Sequence, residues 1–102
     1  MSRVCVGRLD TLSADTPALV VVDGRRVALV RRGDVVHALD DSCPHSGGPL
    51  SEGRVHGDTL VCPYHGWTWG LEDGRCVAPE RDVRVPVYPV HVENGEIWLD
   101  LP

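Results

Sequence analysis

The sequence contains no lysine and no phenylalanine, and it has a single methionine. All 10 basic residues are therefore arginine, set against 15 acidic residues, for a formal net charge of −5. A negative chain without a basic tract is a poor match for nucleic acid or for an anionic membrane surface. It suits a basic protein partner better. Long apolar runs are missing too. The longest, Ala18 to Val22, is short beside the roughly 20 residues that a membrane-spanning helix needs. The opening stretch MSRVCVGRLDTLSAD has no apolar signal core. The expectation is a soluble, cytoplasmic protein with no membrane partner. Helical patterning is also lacking, since no segment keeps an apolar period of about 3.6 residues over several turns.

What is present reads as β structure. A length of 102 residues suits one domain. Val and Leu dominate the apolar set, and Gly (11) and Pro (8) are frequent, a mix that favours short strands and many turns. Turn signals recur at Asp23-Gly24, Gly33-Asp34, Gly57-Asp58, Asp73-Gly74 and Asn94-Gly95. The stretch ALVVVDGRRVALVRRGDVVHAL predicts three strands joined by two tight turns, and RVHGDTLVC predicts a hairpin. VYPVHVENGEIWLDL predicts a closing hairpin with Ile97, Leu99 and Leu101 on one face. Val83, Val85 and Val87 share one parity, whereas Val90 and Val92 have the other. One period-2 strand cannot bury both sets, so a break or bulge is expected at Pro89. The fold class expected is all-β and antiparallel, with a loop-rich insert from about residue 40 to 80.

Four cysteines in a reducing compartment point to metal or thiol chemistry before disulfides. Two of them sit in rhyming segments, Cys43-Pro44-His45 and Cys62-Pro63-Tyr64-His65, with residues 46–61 between. Two thiols and two imidazoles can hold one tetrahedral zinc ion. They can equally hold a two-iron, two-sulfide cluster, with the thiolates on one iron and the imidazoles on the other. Zinc fingers usually group like ligands together, whereas each segment here mixes one Cys with one His. A larger cluster spanning two loop tips accommodates that arrangement more easily.

The pair of segments, continued through Gly66-Trp67, resembles the Rieske [2Fe-2S] family, and the resemblance covers nearly the whole chain. It implies an antiparallel Rieske-like β-sandwich or barrel, a single domain over residues 1–102 with a cluster-binding subdomain at about 40–80. It also implies one [2Fe-2S] cluster per chain. Cys43 and Cys62 would bind the inner iron, and His45 and His65 the outer iron near the surface. Around them, Gly47, Gly48 and Gly66 would let backbone approach the sulfurs, and Pro79 falls where the family has a loop covering the cluster. Respiratory members carry an extra Cys in each loop, joined as a disulfide; the matching residues here are Gly48 and Tyr64. Those members also place hydroxyl donors where this chain has Trp67 and Trp69. The resemblance is therefore to the low-potential branch, the Rieske ferredoxins and the Rieske domains of ring-hydroxylating oxygenases.

An oxygenase needs a second, larger domain with a mononuclear iron. After His65 only His91 remains, so a complete oxygenase is not expected, and no residue is assigned a catalytic role. The expected function is one-electron transfer from a reductase to a terminal oxygenase, in the manner of a Rieske-type ferredoxin. The alternatives are a dedicated Rieske small subunit serving one large reductase subunit, as in assimilatory nitrite reductase, and a structural zinc module. Cys5 and Cys76 read as small buried apolar residues. His37, His56 and His91 read as ordinary solvated or hydrogen-bonded histidines. Arg25-Arg26 and Arg31-Arg32 read as a solvated face or as edge protection. Trp67 and Trp69 read as packing beneath the loops that also keeps water and donors from the sulfurs.

Overall fold

The computed structural model describes residues 2–102. Eleven strands follow one another: β1 Ser2–Arg8, β2 Ala18–Val22, β3 Arg25–Arg32, β4 Val35–Asp40, β5 Arg54–His56, β6 Thr59–Val61, β7 Thr68–Gly70, β8 Cys76–Ala78, β9 Val87–Tyr88, β10 Val90–Glu93 and β11 Glu96–Leu101. Short 3₁₀ turns lie at Leu9–Thr11 and Leu50–Glu52. Three sheets result, ordered β1-β11-β10, β2-β3-β4-β9 and β5-β6-β7-β8, and every ladder between strands is antiparallel. Among the described residues no helix is long and apolar enough to cross a membrane.

Local chemistry places the turns. Asp23 and Gly24 both have positive φ, 51° and 77°, as do Asn94 and Gly95 at 52° and 76°. That pairing is what a two-residue I′ hairpin turn requires, and Asp-Gly and Asn-Gly supply it with least strain. The break expected at Pro89 is present and has a topological purpose. β9 pairs with β4, whereas β10 pairs with β11, so the chain changes sheets there, and the Pro89 carbonyl accepts from Asp100 N at 3.0 Å.

The middle sheet separates two cores. Val27 and Leu29 of β3 face one core with Val36, Ala38, Ile97, Leu99 and Leu101. Ala28 and Val30 face the other, with Leu39, Leu50, Leu60, Trp69, Leu71, Val85 and three of the four cysteines. This is why β3 reads as a continuous apolar run: a strand buried on both faces has no polar side to alternate with.

The structure adds detail to three expectations. The loop-rich insert holds the expected hairpin as β5-β6, and β7 and β8 extend it into the sheet β5-β6-β7-β8. Residues 2–8, to which the sequence analysis assigned no element, form β1 against β11. The arginine pairs are ties as well as surface. Arg31 donates to the carbonyls of Gly33, Leu9 and Leu12, fastening the first 3₁₀ turn to β3. Arg32 pairs with Asp15 and Asp58, each at 3.2 Å, and also donates to the Gly57 carbonyl. Arg26 Nε lies 3.6 Å from Asp41 Oδ2, and Asp41 is the one buried charged side chain among the described residues. Its other oxygen accepts from Ser51 N at 2.7 Å, so the buried carboxylate is paired, as burial demands.

Asp100 joins the three strands of the first sheet. It accepts from Arg3 Nε of β1 at 3.1 Å and meets His91 Nε2 of β10 at 3.0 Å. The hydrogen bond with His91, and after it that with Arg3, hold the Asp100 carboxyl below its ordinary value. A depressed folded pKa stabilises the fold above the unfolded value, about pH 3.9 for Asp. That contribution is lost as pH falls through the folded value. Asp100→Asn is therefore expected to lower the melting temperature modestly at neutral pH and to flatten its decline below about pH 4. Thermal unfolding across that range checks both parts; a mutant curve parallel to wild type would contradict the assignment.

Candidate metal centre

The two Cys-His segments fold into loops with the same backbone frame. Ser42 bridges Pro49 around the first, and Val61 pairs with Thr68 around the second. In the first loop Cys43 N donates to Gly48 O and Gly47 N to Cys43 O; in the second Cys62 N donates to Trp67 O and Gly66 N to Cys62 O. Gly47 and Gly66, at the same place in each frame, have φ of 73° and 74°, a conformation that a residue with a Cβ adopts only at a cost. The frame explains the unequal spacing of the sequence motif. The imidazole occupies the third place in the first loop (His45) and the fourth in the second (His65).

The loops also lock together through matching places. Trp67, sixth in the second loop, stacks on His45, third in the first, with ring centroids 3.8 Å apart and planes 4° from parallel. In the reciprocal pair, Tyr64 packs against Gly48. A Cβ on Gly48 would lie 2.9 Å from Tyr64 Cδ2 and 3.2 Å from Cys62 Sγ, so the loops could not keep this approach with a larger residue. Gly48 and Tyr64, the positions matching the respiratory disulfide, are thus in contact here through packing.

Polarity sorts the four candidate ligands. Cys43 and Cys62 are 1% and 2% exposed, within the second core. His45 and His65 are exposed at the loop tips, with ring centroids 5.4 Å apart and planes at 73°. Among the described residues no three His, Cys, Asp or Glu side chains converge to hold a single ion. The donors form an inner thiol pair and an outer imidazole pair instead. Burial pushes the Cys43 thiol up, but backbone N–H groups of Ser46 and His45, the Ser46 hydroxyl and the Cys62 thiol outweigh it, leaving the thiol below its ordinary value. Ser46 Oγ lies 3.6 Å from Cys62 Sγ and accepts from Gly48 N at 3.3 Å.

This environment fits a cluster bound through thiolates. Donors already point at the cysteine sulfurs, and the backbone of Gly48 leaves room beside Cys62. Trp69 Nε1 is buried without a hydrogen-bond partner in the same core as both thiols. An unmet buried donor costs about 1–3 kcal/mol, and the sulfurs of a bound cluster would supply acceptors in that core.

The surrounding residues divide between expectation and surprise. Cys76 is buried as expected; its Sγ donates to the Pro79 carbonyl at 3.1 Å, and burial raises its thiol. Cys5 is not buried. It lies on the exposed face of β1, and all four cysteines are free. Pro79 is exposed, and beyond it Arg81 reaches over the Trp67 ring, 5.9 Å from its centroid. Trp67 covers an imidazole, and Trp69 brings an N–H into the core, so neither simply keeps donors away. The sequence reading passed over Ser46 and Arg81. Ser46 stood in plain view between His45 and Gly47, whereas nothing near Arg81 in the sequence connects it to Trp67.

Comparisons with known proteins agree with this geometry. The family model for the Rieske [2Fe-2S] domain matches residues 2–89. The 3-phenylpropionate/cinnamic acid dioxygenase ferredoxin subunit of Escherichia coli (strain K12) is 36% identical over 93 residues, covering 87% of this chain and 88% of that protein. The 4beta-methylsterol monooxygenase of Methylococcus capsulatus is 39% identical over 87 residues, but those span 74% of this chain and only 23% of that protein. Among solved structures, the ferredoxin of carbazole 1,9a-dioxygenase from Nocardioides aromaticivorans IC177 superposes with a TM-score of 0.90 at 32% identity, covering 97% of each chain. A complex of reduced oxygenase and oxidized ferredoxin in carbazole 1,9a-dioxygenase matches at 0.87 and 30% identity, covering 95% and 91%. A chain proposed as the NADH-dependent nitrite reductase small subunit of Mycobacterium tuberculosis matches at 0.88 and 31%, covering 96% and 93%. With paired loops that present two buried thiols and two exposed imidazoles, and a family match over most of its length, this chain belongs to the Rieske [2Fe-2S] domain family, whose members carry one such cluster per domain.

Proposed function

We propose that this chain is a one-electron carrier that takes an electron from a reductase and delivers it to a terminal oxygenase. Cys43 and Cys62 would hold the inner iron, and His45 and His65 the outer one. When bound, the cluster supplies a site that gains and loses one electron. The chain's own residues bury its thiolate end, supply donors to the sulfurs through Ser46 and the loop backbone, and leave the imidazole end open. That polarity is the observation that carries the reading, because the exposed His45 and His65 are the face on which a partner can meet the cluster. The dioxygenase ferredoxin subunit of similar length, and the ferredoxin seen in complex with an oxygenase, support the same direction of transfer. The role is that of a component of an oxygenase system in the cytoplasm, without catalytic residues of its own. The domain reading is one unit over residues 1–102, with the β5-β6-β7-β8 sheet and the two loops as a cluster-binding subdomain at about 40–80.

Stopped-flow mixing of the dithionite-reduced protein with the oxidised oxygenase component of a carbazole dioxygenase tests the reading. The expected result is oxidation of this chain and matching reduction of the oxygenase, much faster than oxidation in buffer. Equal rates with and without the oxygenase would contradict it. The similarity to the proposed nitrite reductase small subunit favours a second reading, a dedicated subunit. Co-purification with one large reductase, and transfer only within that complex, would select it.

A further inference from the structure

The two exposed imidazoles are held unequally. His45 lies flat on the indole of Trp67, whereas the His65 and His45 rings meet in a T-shaped arrangement, their planes at 73°. The matching place in the first loop is Gly48, which has no side chain to set against the second loop. Trp67 is itself well anchored. Its carbonyl accepts from Cys62 N at 2.8 Å, its ring packs half-buried against the second core, and it lies 6.2 Å from Trp69, tilted by 33°. It is therefore a rigid wall from one loop against a candidate iron ligand from the other.

We propose that Trp67 is a positioning residue of the redox centre, acting through His45: its indole fixes the imidazole's rotation and favours the oxidised cluster. This rests on the ligand assignment made above. The face of an indole carries negative electrostatic potential and attracts positive charge held over it. An imidazole on the oxidised cluster, which carries one more positive charge, is the more positive of the two states. The stack therefore stabilises the oxidised form more, and weakening it shifts the balance towards the reduced form.

The test is a fluorotryptophan series, in which successive fluorines drain the indole face with little change of shape, run in wild type and in Trp67→Phe. The second series isolates the contributions of Trp69 and Trp98. The midpoint in wild type is expected to rise with each fluorine, reaching a threefold to tenfold change in the oxidised-to-reduced ratio, about 30–60 mV on the one-electron scale. In Trp67→Phe it is expected to rise much less, the remainder coming from the buried Trp69 N–H. Equal slopes in the two backgrounds would overturn the proposal. Pulsed-EPR nitrogen couplings recorded on the same reduced samples separate the causes. Two couplings with no fluorine dependence of the midpoint sink this inference alone, whereas the absence of nitrogen couplings sinks the ligand assignment beneath it.

Discussion

Cys43→Ser and Cys62→Ser are each expected to give a protein without the brown chromophore, without stoichiometric iron and sulfide, and with a sharply lowered melting temperature. Both thiols are almost fully buried, and both lie in a core built around the middle sheet. A serine hydroxyl is a harder, less acidic donor than a thiol, and it would leave a buried polar group where a thiolate belongs. Held by these four residues, the cluster would also act as a cross-link between two loops. A link closing about twenty residues is worth roughly 3 kcal/mol in chain entropy alone. For a domain of this size that corresponds to a drop of roughly 10–20 °C. Metal binding and folding are coupled in such sites, so the apo variants should also bind iron poorly on reconstitution. Cys5→Ser and Cys76→Ser are the controls. Cys5 is exposed on β1 and Cys76 bonds to the Pro79 carbonyl, so both variants should keep the optical spectrum. A Cys62→Ser protein with full iron and sulfide would overturn the ligand assignment.

The second large effect is on the reduction potential. Rieske centres span about −150 to +300 mV, and this protein is expected at the negative end, because Trp67 and Trp69 replace two hydroxyl donors of the respiratory members and only the single N–H of Trp69 is left aimed into the core. Donors to sulfur raise the potential, since the reduced cluster carries more negative charge and gains more from them. Besides the buried Trp69 N–H, the structure places a hydroxyl donor at the thiols in Ser46, 3.6 Å from Cys62 Sγ and among the groups that lower the Cys43 thiol. A hydrogen bond to a charged acceptor is worth about 1.5–3 kcal/mol, though this one is long. Ser46→Ala is therefore expected to lower the midpoint by tens of mV to about 100 mV on the one-electron scale, with the cluster content unchanged. Protein-film voltammetry of wild type and mutant reads both numbers. A wild-type midpoint near the positive end, or a Ser46→Ala midpoint that does not fall, would contradict this account of the donors.

How much was legible depended on the range of the interaction. The hairpins β2-β3-β4 and β10-β11 announced themselves because their turns and their apolar parity lie within a few residues of each other. The interruption at Pro89 was legible for the same reason, as a parity conflict, though not that the chain changes sheets there. β1 was not. Its Val4 and Val6 do alternate with Arg3 and Cys5, but its partner β11 lies at the far end of the chain, and a bulge between Cys5 and Gly7 breaks the pattern. The same alternation places Cys5 on the outer face, a signal that the buried-cysteine expectation overlooked. β7 and β8 have three residues each, too few for a period to show. At the loops, spacing revealed the four candidate ligands, because residue type alone carries that chemistry. It could not reveal the Trp67–His45 stack or the Ser46 donor. The stack arises only when the two matching frames face each other and their third and sixth places meet, and the donor only when the fourth place of the first loop reaches the first place of the second.

The central claim is that two loops contribute two imidazoles to one cluster. Pulsed EPR of the reduced protein, prepared with natural-abundance and with isotope-labelled histidine, tests it most directly. The account predicts two distinct, strong nitrogen couplings that change with the label, and the loss or replacement of one of them in a His45 variant that still binds iron. A reduced cluster showing no histidine nitrogen coupling, or couplings that survive unchanged when His45 and His65 are both replaced, would contradict it.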